Sequence, residues 1–370
     1  MKVWLLFLGL LVFGLLLRAG QVLIGAQPFA SSESQLNIAP MQQVINGQSA
    51  VFKEKPLLAY VVVWPYLLLR PLGFTLFDTL YLLLSLFIAA SMTIVFLFGK
   101  RMGGARAGLF SVLLFAVMPT AVQAQLLSVY TGDFFIGILL MLALLLLVVA
   151  ADSYKQERKA LIFGLLSILL LIVAAFLWNG GLYVVATYGF VAALLLLRRF
   201  TSSLRLLAAI GCILLAVLFV LYRYSPVYVW TDISNINVPP HSAVGAMLEF
   251  NALTMLTQQN LAMNMQIMYI ALLLGFALCV MPALWFIYTY KGRPDNAMAA
   301  LVGSLLCGLP LALLNARWES LIIMPLAALT GGGLSKVHTK NPIIYTLFCA
   351  GVVLLALFAV LEVWPYLAWY

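Results

Sequence analysis

The feature that most constrains this chain is the length of its apolar runs. Stretches of about 20 residues with almost no charge recur from end to end, and the charged residues sit in the gaps between them. A soluble domain is about 25% charged; here the fraction is 8%, against 65% hydrophobic residues in a chain of 370. Such a chain cannot cover itself with a polar surface, so its solvent is lipid. The expectation is an all-α, polytopic transmembrane helical bundle forming a single domain over residues 1–370.

Runs bounded by charge, Gly or Pro predict eleven spans, at roughly 3–25, 77–99, 107–126, 133–151, 160–178, 181–197, 204–222, 266–290, 297–314, 318–335 and 343–365. A further stretch, 56–70, contains Pro56, Pro65 and Arg70 and reads as interfacial or re-entrant rather than as a twelfth span. Lys2 and the apolar run through Leu17 are similar to a signal peptide. Arg18 closes that run with no small-x-small cleavage site after it, so an uncleaved anchor helix is expected.

The net charge of +9 suggests nucleic acid only until the charges are mapped. With the N-terminus cytoplasmic, fourteen basic residues fall in short inner loops: Lys2; Lys100, Arg101, Arg106; Lys155, Arg158, Lys159; Arg198, Arg199, Arg205; Lys291, Arg293; Lys336 and Lys340. Arg18, Lys53, Lys55, Arg70, Arg223 and Arg317 fall outside. The acids show the opposite bias, with only Asp152, Glu157 and Asp295 inside. This is the pattern of a cell-membrane protein obeying the positive-inside rule, and nucleic acid is not an expected partner. Cys212, Cys279, Cys307 and Cys349 all lie in apolar runs without metal-ligand spacing and read as small buried hydrophobes.

The inner loops are turns, whereas two outer loops are long, at roughly 26–76 and 223–265. Long loops usually carry function, so the working face is expected outside. The terminal sequence WPYLAWY suits the outer interface, where Trp and Tyr collect, and places the C-terminus outside.

Ionisable groups beside hydrocarbon are expensive, which singles out four residues at the outer ends of spans. Glu33 lies in SSESQLNIAP, either a solvated loop acid or a ligand. Asp133, in SVYTGDFFIG, opens a span and is either a complement to the helix dipole or a functional acid. Glu249, in AMLEFNALT, is a carboxylate in an unusually apolar outer loop. Its head either reaches water or is buried beside a cation or hydrogen-bond partner. Arg317, in LLNARWESL, either snorkels beside Glu319 or binds an anion. Carboxylate oxygens suit hard divalent cations such as Mg²⁺ or Mn²⁺, and Arg suits phosphate. Gathered at one pocket, these groups would stabilise a departing polyprenyl phosphate or pyrophosphate.

At the same positions the chain resembles the C-type glycosyltransferase superfamily (GT-C), in particular the membrane core of the oligosaccharyltransferase catalytic subunit. Glu33 followed by VINGQ, with Asn46 and Gly47, resembles the acid of the family's first outer loop and the amphipathic helix after it. FGKRMGGARAGLFSVLLFAVMPT, residues 98–120, resembles the turn between the second and third spans. TGD at 131–133 is similar to the second acidic motif but keeps only its last acid, Asp133. WNGG, from Trp178 to Gly181, resembles a Trp-Gly-Gly element. Glu249 stands where the family has a catalytic Glu, without the leading hydroxyl residue. ARWESLIIMP resembles the Arg-aromatic element near the lipid phosphate, giving Arg317. Lys55 and Pro56 match part of a Lys-Pro-Pro-Leu run found in lipid-phosphate-sugar transferases of the same superfamily.

The resemblance implies a metal-dependent transferase acting on a polyprenyl-linked sugar donor. Glu33, Asp133 and Glu249 would be its metal-binding and catalytic acids, and Arg317 its phosphate ligand. Trp178, Lys55 and His241, the last in VPPHSAV, are secondary candidates; a lone loop histidine is more often incidental. The family's soluble C-terminal domain, with its Trp-Trp-Asp-Tyr-Gly motif, has no counterpart here. An acceptor other than the usual Asn-x-Ser/Thr sequon is therefore implied, with bacterial pilins among the protein acceptors and lipids or glycans as alternatives. The rival reading from another class is a lipid-linked-sugar flippase or transporter. Charges at helix ends instead of the midplane, and no evident repeat, count against it.

Overall fold

The computed structural model describes residues 2–23, 38, 41–46, 56–118, 121, 132–153, 155–177, 181–197, 274–275, 277–279, 281, 295–314, 320–337 and 342–363. Among them the secondary structure is helical throughout, with no strand. The helices are α1 (Lys2–Leu23), α2 (Pro56–Leu69), α3 (Leu76–Val117), α4 (Gly132–Asp152), α5 (Glu157–Leu177), α6 (Gly181–Leu197), α7 (Asn296–Leu314), α8 (Ser320–Val337) and α9 (Pro342–Val363). Apart from α2 and the kinked α3, they are 17 to 22 residues long, the length that crosses hydrocarbon.

The stretch at 56–70 forms α2, a helix of 14 residues. Its rise of about 21 Å falls short of the hydrocarbon core. It gives way to a 3₁₀ turn, Arg70–Leu72, closed by Gly73 at φ 87°, a conformation that favours glycine. Thr75 then opens α3 with a capping box: its hydroxyl accepts from the Asp78 amide, and the Asp78 carboxylate accepts from the Thr75 amide.

The two spans read at 77–99 and 107–126 are the arms of α3, joined at a kink. Gly103 (φ −149°) and Gly104 (φ 79°) leave helical geometry there, and only glycine takes the second conformation without strain. The second arm stops at Val117, earlier than its apolar pattern suggests. Met118 is extended (ψ 117°) and Pro119 follows, whose ring disfavours helix in the residue before it. The read span 204–222, and most of 266–290, lie outside the described residues.

Packing at the centre relies on small residues. α8 packs against α3 at its kink and along its second arm. A Cβ added at Gly331 would come within 2.1 Å of Ser111 Oγ and 2.6 Å of the Ala107 carbonyl; one at Gly103 would meet Ser335 Oγ at 2.2 Å. Ser111 donates to the Ala107 carbonyl at 2.8 Å and lies 3.3 Å from that of Ala328 across the interface. Such close backbone approach is how helices associate where lipid supplies no hydrophobic drive. Buried Ser167 of α5 joins α4 and α6 in the same way, donating to the Ala143 carbonyl at 2.6 Å and lying 2.8 Å from the Tyr188 hydroxyl.

The outside of the bundle is apolar. On α5, Leu161, Leu165 and Leu169 are 63%, 58% and 56% exposed at a helical spacing, and α1 presents Trp4, Leu5, Leu8, Val12 and Leu16. A continuous apolar face of this kind matches lipid and not water. Cys279 and Cys307 are buried and Cys349 is partly buried, all as free thiols.

The helices share two ends. At one, Asp152 closes α4, pairs with Arg101 of α3 and accepts from the Asn296 amide of α7 at 2.6 Å. Asp295 caps α7 through the Met298 amide, and Lys100 lies over the Trp4 ring. At the opposite end lie the C-termini of α1, α3, α5 and α7 and the N-termini of α4, α6 and α8.

Candidate functional site

The opposite end is built around the start of α4. Asp133 is the second residue of that helix, within its first turn, where the dipole favours an acid. Two positions on, Phe135 is buried and meets Phe87 of α3 edge to face, with ring centroids 4.5 Å apart. Aromatic pairs in this geometry add about 0.5–1.5 kcal/mol beyond the area they bury. The first turn of α4 is thus seated on α3, and the backbone carrying Asp133 with it.

A second charged residue at this end is Arg18, which the sequence presents only as the end of the first apolar run. Its side chain is fully buried. The guanidinium donates to the Gly14 carbonyl of its own helix at 3.0 Å, and to the Phe115 and Ala116 carbonyls of α3 at 3.2 and 3.3 Å. It also lies over the Phe115 ring, 5.4 Å from the centroid. Carbonyls in the last turn of a helix have no partner within it, and a cation there complements the dipole. Gly14 makes the approach possible: a Cβ there would lie 2.7 Å from Met92 Cε and 3.5 Å from Ala116 Cβ. A glycine four residues before a lone arginine in an apolar run is the signal that reveals this contact.

Of the other candidates, Glu33, Lys55, Trp178, His241, Glu249 and Arg317 lie outside the described residues. The helix ends that flank three of them are described. Glu33 follows the end of α1, Trp178 falls between the end of α5 and the start of α6, and Arg317 falls between α7 and α8. All these helix ends lie at the Asp133 end of the bundle. In the segment after α1, residues 41–45 are helical, with Met41 buried, Gln42 and Gln43 exposed, and Asn46 turning back onto the Gln42 carbonyl at 3.0 Å. Among the described residues no three His, Cys, Asp or Glu side chains gather as a metal site. The candidate donor set remains three carboxylates, which suit a hard divalent cation in their chemistry.

The fold is that of the GT-C glycosyltransferases. The oligosaccharyltransferase of Archaeoglobus fulgidus in its apo form aligns with a TM-score of 0.59 at 13% identity, over 97% of this chain and 55% of that one. It has also been solved tethered to an acceptor peptide containing the NVT sequon, and in complex with zinc and sulfate. ArnT from Cupriavidus metallidurans, bound to undecaprenyl phosphate, aligns with a TM-score of 0.54 at 16% identity, over 90% of this chain and 60% of that one. The mycobacterial arabinofuranosyltransferase AftD gives 0.54 at 18% identity, over 96% of this chain and 27% of that one. All three are GT-C glycosyltransferases, and at these identities the likeness is one of fold. The chain spans about half the length of the archaeal enzyme. No protein-family model matches the sequence, and no curated protein does.

Proposed function

We propose that this chain is a glycosyltransferase that moves a sugar or glycan from a polyprenyl-(pyro)phosphate donor to an acceptor on the non-cytoplasmic side of the membrane. The acceptor in this reading is a periplasmic or surface protein, a class that includes pilins. The observation that carries this reading is the fold. Nearly the whole chain follows the helical arrangement of an oligosaccharyltransferase, and most of it that of a protein solved with undecaprenyl phosphate.

In this reading the acceptor's nucleophilic atom forms a bond to the anomeric carbon as the bond from that carbon to the phosphate oxygen breaks. The electron pair leaves with the lipid phosphate. Glu249 orients the acceptor and takes its proton. Arg317 holds the departing phosphate, where a forked guanidinium matches two oxygens. Glu33 and Asp133, with Glu249, would hold Mg²⁺ or Mn²⁺. Such a cation supplies positive charge that stabilises the leaving phosphate.

A second reading, a polyprenyl-monophosphate-sugar transferase acting on a lipid or glycan, is favoured by the likeness to ArnT with its bound lipid phosphate. Purified protein in liposomes, supplied with polyprenyl-phosphate and polyprenyl-pyrophosphate sugars, shows which carrier is released and separates the two by whether the sugar ends on a protein or on a lipid or glycan. No carrier release with either donor, in the presence of Mg²⁺ or Mn²⁺ and a periplasmic extract, would remove the transferase reading. Movement of the intact donor across the bilayer would replace it with the transporter.

A further inference from the structure

We infer that Arg18 is a positioning residue for the transfer site: a charged clamp that holds the end of α1 against the end of α3. The inference rests on the transferase reading above, but the clamp itself is geometry. Three backbone carbonyls from two helices converge on one fully buried guanidinium, and two of them belong to the last turn of α3. Burying a cation is expensive unless hydrogen bonds and aligned dipoles replace its water, and here they do. The Phe115 ring covers the guanidinium, as expected for a desolvated cation.

The position of the clamp gives it its role. Five residues after Arg18, α1 ends, and the segment carrying Glu33 begins. One residue after Val117, α3 gives way to the segment that leads into α4 and Asp133. Arg18 therefore joins the end of α1, from which the chain runs on to Glu33, to the end of α3, from which it runs on to Asp133, 98 residues apart at its Ala116 contact. A neutral side chain of similar length would leave the carbonyls of α3 unsatisfied in an apolar setting and free the two exits to shift. Small displacements of catalytic groups lower the rate much more than they weaken substrate binding, because substrate contacts made elsewhere persist.

The test uses the full-length protein in nanodiscs with a polyprenyl-linked sugar donor and compares wild type with Arg18→Met, Arg18→Gln and Arg18→Lys. Rates are expressed per folded molecule, with the folded fraction taken from the thermal transition. The expected result is a kcat lowered at least tenfold in Arg18→Met with the donor KM within threefold of wild type. Arg18→Gln should fall between, and Arg18→Lys should recover most of the rate because it keeps the charge at the end of α3. Wild-type kcat per folded molecule in Arg18→Met would overturn the inference, as would equal losses in the Met and Lys variants. Absence of folded protein in all three would overturn it too, since Arg18 would then serve folding and not the site. Absence of turnover in wild type is the distinct result that overturns the transferase reading itself.

Discussion

Arg101 and Asp152, 51 positions apart, form an ion pair at 2.5 Å, and the second carboxylate oxygen of Asp152 accepts from Asn296. One carboxylate thus latches α3, α4 and α7 at a common end. The pair is partly exposed, so each partner is worth about 1 kcal/mol at most. Asp152→Ala should lower the thermal transition slightly more than Arg101→Ala, because it also frees Asn296. The double variant should lose less than the sum of the two, and a strictly additive result would show that the pair does not couple.

The same latch bears on orientation. The charge count groups Lys100–Arg106, Asp152–Lys159 and Lys291–Asp295 on one side, and the first two and Asp295–Asn296 do meet at one end. In whole cells, with the four native cysteines replaced, Lys155→Cys should react with a membrane-impermeant thiol reagent only after permeabilisation. Labelling of intact cells would invert the proposed topology.

Gly331 faces Ser111 so closely that a larger residue must push α8 off α3. The atoms it would meet include backbone, which cannot rotate aside. Gly331→Val should cost more than the about 1–3 kcal/mol typical of overpacking, and most of the protein should fail to fold. Gly164, with nothing within 4 Å of an added Cβ, is the control, and Gly164→Ala should be neutral in the same melting assay.

Glu33→Gln, Asp133→Asn and Glu249→Gln should each lower donor turnover by about 10²–10³-fold, the scale for losing one electrostatic contact to a transition state. Membrane insertion and melting should stay near wild type. Arg317→Ala should lower kcat by a similar factor if it holds the leaving phosphate. Normal turnover in all four would sink the site assignment while leaving the fold untouched.

Much of the helix pattern is legible in the sequence, because lipid admits so few arrangements. A run of about 20 apolar residues between charges has one plausible structure, and the ends of α4, α6 and α7 fall within a residue of where charge, Gly or Pro would put them. Gly103 and Gly104 betray the kink by their type. What the pattern cannot convey is which helix meets which. The Ser111–Gly331 contact joins small residues far apart in the chain, and small residues are common in every span. Arg18 is harder still, since the α3 carbonyls it reaches carry no side-chain signature, and the hint in the sequence is Gly14 four residues before it. The place of Asp133 in the first turn of α4 is readable because TGD stands at the start of a long apolar run. The roles of Glu33, Glu249 and Arg317 rest on resemblance, because residues supplied by separate loops share no spacing that could reveal them.

The most direct test of the central claim is the intact mass of surface and periplasmic proteins from cells with and without this gene, and from cells carrying Asp133→Asn. At least one protein should be heavier by a whole sugar or glycan in the wild type alone, with polyprenyl-linked donor accumulating in the other two strains. Identical protein masses in all three, with no change in lipid-linked or polymeric sugars, would contradict it.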